Sequence, residues 1–120
     1  MKSKRFRLYS ASVSGTTTFP AIRAEQAKSL AIQVVWDAAI TGTLKLQYSN
    51  DEGYDGGLGA SQLAGISNLT DVTGSSQATG GAAGNHMWDV ETGARWVVPV
   101  YTHTAGGPAT FTINVQVKER

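Results

Sequence analysis

The strongest constraint on this chain is an alternation that runs twice between residues 29 and 51. Leu30, Ile32, Val34 and Trp36 fall on every second position. The pattern resumes at Leu44, Leu46 and Tyr48, with Lys45 and Gln47 between them. A period of two puts successive side chains on opposite faces of a strand, so each run has one buried face and one wetter face. The β-branched and aromatic content suits strands. With Thr41-Gly42-Thr43 between them, the two runs read as a β-hairpin. Ser49-Asn50-Asp51-Glu52-Gly53 is dense in turn formers and ends the second run.

The same reading extends along the chain. Residues 1–5 read as a flexible basic arm and 6–120 as one β-sandwich domain, the usual size for a single core. Phe6 to Val13 forms a first strand, and Phe19-Pro20-Ala21-Ile22 is extended because proline biases the residue before it to the β region. Arg23 to Lys28 reads as a polar connection. Residues 53–86 form a long Gly-rich loop with a short strand near Leu69 to Thr73. Loops of that length are functional or disordered. Met87 to Val90 is a short strand. Arg95 to Tyr101 is apolar on both faces, and Pro99 places it at an edge or at a bulge, because proline cannot donate to a ladder. Phe111, Ile113, Val115 and Val117 alternate with polar residues and pair as a hairpin with Trp96 to Tyr101. The fold class expected is all-β: a single antiparallel sandwich, jelly-roll or Ig-like, of six to eight strands.

Charge is sparse and balanced, with 10 Lys and Arg against 9 Asp and Glu. The whole chain thus carries no nucleic-acid footprint. Lys2, Lys4, Arg5 and Arg7 nevertheless crowd the first seven residues. They are candidate interface residues toward an acidic neighbour, with nucleic acid a less favoured partner, and a merely solvated tail is the plainer reading. There are no cysteines, so neither a disulfide nor a thiolate site is available. No apolar run approaches a membrane span. Met1 to Phe6 has a basic region with no apolar stretch behind it, unlike a signal peptide, so synthesis and assembly in the cytoplasm are expected.

The residues that carry chemistry do not assemble into a pattern. His86 and His103 lie in turn-like segments, and no serine has a Gly-x-Ser-x-Gly context; neither histidine is linked by sequence to a nucleophile. Asp37, Asp51, Glu52, Asp55, Asp71, Asp89 and Glu91 supply carboxylates, but turn formation is their commoner use. Asn50, Asp51, Glu52 and Asp55 before Gly56 fit a calcium loop only in part, since Gly53 takes its third position. The glycines at 56–59 and 80–84 are not followed by the Lys-Ser/Thr of a phosphate cradle. Trp36, Trp88 and Trp96 lie in strand-like segments and read as core rather than as sugar platforms. Tyr54, in the Gly-rich loop, is the aromatic expected outside and joins the interface candidates. The expectation is no enzyme, no cofactor and no metal.

Three stretches together resemble a family of small bacteriophage virion structural proteins. They are Ile32-Gln33-Val34-Val35-Trp36 with Thr41 to Asp51, then Trp88-Asp89-Val90, then Arg95-Trp96-Val97 with Val100 to Gly107 and the strand ending at Lys118. The resemblance covers residues 29–52 and 86–118; Pro99 and the Lys-Glu-Arg end depart from its pattern. It implies a non-enzymatic building block of a virion: a decoration, minor capsid or vertex protein. Its partners would be other virion proteins and copies of itself, as trimers or pentamers. The alternative is a glycan- or receptor-binding module on the virion surface.

Overall fold

In the computed structural model, residues 3–25, 27–50, 62–63 (as backbone) and 69–119 are described, and they build an all-β sandwich. The strands are β1 (Ser3–Val13), β2 (Thr17–Thr18), β3 (Ala21–Arg23), β4 (Ala27–Trp36), β5 (Ile40–Ser49), β6 (Gln62–Leu63), β7 (Thr70–Asp71), β8 (Gln77–Ala78), β9 (Gly84–Val90), β10 (Trp96–Gly106) and β11 (Ala109–Glu119). A four-stranded sheet has the order β1-β11-β4-β9. A second sheet runs β6-β3-β10-β5-β7, with β2 also on β10 and β8 also on β5. All pairings are antiparallel. Grouping β2 with β3 and β7 with β8 leaves four positions facing five; without the two-residue edge strand β6, the order is the one produced by the two Greek keys of a jelly roll.

The expected alternation is present, but both expected hairpins are absent. β4 lies in the first sheet and β5 in the second; β10 and β11 are likewise divided between them. Each pair is an arch that crosses the sandwich. The first crosses at Asp37-Ala38-Ala39, so Thr41-Gly42-Thr43 lies within β5 and not in a turn. The second crosses at Gly107-Pro108. Gly106 and Gly107 adopt φ of 78° and 88° there, a region in which a side chain is strained. The arches stack on each other. β4 pairs with β11, bringing Trp36 opposite Phe111, and β5 pairs with β10, bringing Ile40 opposite Gly106. At the crossing, the Asp37 carboxylate accepts the Thr110 N–H at 2.8 Å. The Gly107 N–H donates to the Ala39 carbonyl at 3.1 Å.

Arching turns the two apolar faces toward each other. Leu30, Ile32, Val34 and Trp36 meet Ile40, Leu44 and Leu46, joined by Phe111, Ile113 and Val115. Phe111 is fully buried. Its ring lies 5.0 Å from Tyr101, 6.0 Å from Phe19 and 6.2 Å from Trp36. Gly42 faces this cluster, and a Cβ there would strike the Tyr101 ring and the Thr102 carbonyl.

Pro99 lies in a central strand, flanked by β5 and by β2 and β3, and the register shift in β10 falls at His103/Ala105 instead. The reason is local. The Pro99 carbonyl accepts the Phe19 N–H at 3.0 Å, so in antiparallel geometry its nitrogen faces the same side. That side is away from β5, at Phe19-Pro20 between β2 and β3, so the ladder with β5 loses no bond to the proline.

The side of β5 away from β10 carries the short strands β7 and β8, and side chains complete it. Thr79 Oγ1 accepts the Gly42 N–H at 3.0 Å and donates to the Ile40 carbonyl at 2.6 Å. Ser75 Oγ accepts the Leu46 N–H at 3.0 Å and donates to the Val72 carbonyl at 2.7 Å. The indoles of the first sheet hold this segment from the other side: Trp88 Nε1 donates to the Ser75 carbonyl at 2.8 Å and Trp36 Nε1 to the Ala82 carbonyl at 2.7 Å.

Two substitutions test this frame. Gly42→Ala should lower the unfolding free energy in urea by about 3 kcal/mol, because neither the backbone carbonyl nor the buried ring can retreat. Asp37→Ala should cost about 2 kcal/mol in the same measurement, through loss of a charge-assisted bond between the arches.

Candidate interaction surface

The two sheets present different outer faces. On the second sheet, Trp96, Val98 and Val100 project away from the main core, yet they are buried in a small second cluster with Ala21, and Leu69 packs on it. The Arg23 guanidinium lies over the Trp96 ring at 5.2 Å, and Glu25 pairs with both Arg23 and Arg95. Lys45 and Gln47 project outward on β5 as their alternation requires. Gln47 Nε2 donates to Asp71 at 2.7 Å and Lys45 lies 3.0 Å from the same oxygen. The Gln47 hydrogen bond, then the Lys45 ammonium, hold the Asp71 carboxyl below its ordinary pKa.

The outer face of the four-stranded sheet is open. Its residues fall in rows set by register. Arg5, Gln116, Ala31 and Asp89 form one row across β1, β11, β4 and β9, and Arg7, Asn114, Gln33 and Met87 form the next. Ser10, Thr112, Val35 and Asn85 follow. A shallow trough of about 400 Å³ lies along the first two rows, with Ala31 in its floor and Arg5, Met87 and Gln116 among its walls. Met87 is 49% exposed, the one large hydrophobic residue so exposed among those described. Arg5, Arg7 and Asp89 form no ion pair among the described residues.

The basic cluster expected in an arm is therefore part of a sheet. β1 begins at Ser3, and Lys4 and Arg5 are paired with Val117 and Gln116. The strand period divides the charges. Arg5 and Arg7 stand on the outer face, whereas Lys4 lies on the other side, with its ammonium 5.7 Å from the Phe6 ring. Lys2 and Tyr54 lie outside the described residues, as do Asp51, Glu52, Asp55 and the glycines at 56–59. Sequence reasoning missed Asp89, Met87, Gln33 and Gln116 as members of the arginines' rows. Nothing local marks them, since the rows exist only after four strands from both ends of the chain have paired.

The other candidates have structural partners. Tyr101 Oη donates to the Thr41 carbonyl at 3.0 Å and lies 3.0 Å from His103 Nδ1. Burial raises the Tyr101 pKa. His86 stands edge-on to Trp88 at 5.1 Å. Trp36, Trp88 and Trp96 are all buried, as core tryptophans should be. Gly80 and Gly81 take φ of 77° and 74° in the turn before β9, and a strand, not a helix, follows. No group of three or more His, Cys, Asp or Glu that could hold a metal ion occurs among the described residues. Nor is any helix among them long and apolar enough to cross a membrane. No family model, curated protein or solved structure matches the chain.

The Asp71 contacts yield a direct check. Gln47→Ala should raise the Asp71 carboxyl pKa toward the ordinary carboxylate range in an NMR titration, since the removed bond favours the ionised form.

Proposed function

We propose that the chain is a non-enzymatic structural component of a bacteriophage particle, assembling with copies of itself and with other particle proteins as a decoration, minor capsid or vertex protein. The observation that carries this reading is the strand order. With the short edge strand β6 left aside, and β2 grouped with β3 and β7 with β8, four positions face four in jelly-roll succession, an architecture used by viral capsid domains. That link is one of fold analogy. The sequence resemblance supports it, because residues 29–52 and 86–118 take in all of β5 and β10 and most of β4, β9 and β11, the stacked arches with the strand beside them. The unequal outer faces fit the role as well: one is covered from within the chain, and the other is left for a neighbour.

Peptide mass spectrometry of density-purified particles, from cells producing the phage that encodes the chain, tests the reading. The chain should be present at a fixed copy number per particle. Its absence from intact particles would overturn the proposal.

A further inference from the structure

The rows on the four-stranded sheet have a property that none of their residues has alone. Arg5 stands at one end of its row and Asp89 at the other, with Gln116 and Ala31 between them. A second copy laid face to face, related by a two-fold axis parallel to the strands between β11 and β4, reverses the strand order above the first. β1 then lies over β9 and β11 over β4. Arg5 meets Asp89 of the second copy, and Asp89 meets its Arg5. Gln116 descends on Ala31, the smallest side chain lining the trough. In the next row, the Arg7 stem covers the exposed Met87 while Asn114 and Gln33 exchange amides. The other face-to-face two-fold, across the strands, sets β1 on β1 and brings the arginines toward each other, so charge selects the axis.

We infer that the outer face of the β1-β11-β4-β9 sheet is an isologous docking surface for a second copy of this chain, with Arg5 and Asp89 as its reciprocal ion pairs. Isologous contacts place each patch on itself in this way. Four strands about 4.8 Å apart and three rows about 7 Å apart give a face of roughly 400 Å² per copy. Two copies then bury roughly 800 Å², the size of a weak, transient contact. The face is amphipathic and not greasy, with Met87, Ala31 and Val35 set among amides and hydroxyls, as suits a contact made between already folded copies. The contact requires only this one chain, so it holds or fails separately from any role in a particle.

Sedimentation equilibrium of the full chain, from micromolar to millimolar, is the test. The wild type should pass from monomer to dimer. Arg5→Asp and Asp89→Arg should each weaken dimerisation by at least about tenfold, since each places two like-charge pairs in the contact. The double variant carrying both exchanges should recover it. Ala31→Arg, which fills the trough, should abolish it, and all four variants should keep the wild-type melting temperature as a check on folding. A wild-type chain that stays monomeric, single exchanges without effect, or a double exchange that fails to recover the dimer would overturn the inference. So would a monomer that binds single-stranded DNA more tightly with Asp89→Arg, which would assign the face to a polyanion.

Discussion

The fold depends on the stacking of two arches. Each crosses the sandwich, and each would leave an apolar face uncovered by itself. They are joined at the crossing by Asp37 and Thr110 and in the core by Phe111, whose ring reaches Trp36 of one arch and Tyr101 of the other. Once they are stacked, both sheets have their central pairs, β11 with β4 and β10 with β5, and the remaining strands add at the sides. The in-strand Gly42 follows from the same arrangement. Tyr101 must lie flat against β5 to reach the Thr41 carbonyl, and only a residue without a side chain leaves room for it.

This arrangement explains which parts of the fold were legible in the sequence. Alternation reports which side chains are buried, and it located β4, β5 and β11 and the doubly buried β10. It does not report the strand to which a neighbour is bonded. A hairpin puts two apolar faces side by side on one sheet, whereas an arch opposes them across the core, and the residue pattern is the same in both. The connections held the distinguishing signal. Asp37-Ala38-Ala39 lacks the Asn-Gly or Gly-x pair of a tight hairpin, while Gly42 drew the turn into the strand. Pro99 misled for a related reason: a proline excludes a central strand only when its missing N–H faces a continuous ladder, and here it faces away from β5, toward the gap between β2 and β3.

The surface was legible only in part. Arg5 and Arg7 were visible as charge, but the period of the strand decides that Lys4 leaves their company. Asp89, at the far end of the Arg5 row, is more than eighty positions away in the chain and reaches that row only through β11 and β4. Single-sequence patterning carries no information about that distance. The covered face of the second sheet was more visible, since β10 is apolar on both sides and so demanded a second cluster.

The hydroxyls along the side of β5 away from β10 have a consequence for chain length. Thr79 bonds at Gly42 and Ser75 at Leu46, so the two hydroxyls are spaced as their backbone partners are and act as a ruler. A residue gained or lost between 75 and 79 would misalign one hydroxyl and leave a buried backbone group unmet. Just before the ruler the register shifts. Val72 and Ser75 both reach Leu46, and the chain between them loops outward through Gly74, which has open space around it. Length is therefore held twice over: at 75–79 by the two hydroxyls, and at 72–75 by a turn through Gly74 that the Ser75 N–H and hydroxyl close on the Val72 carbonyl.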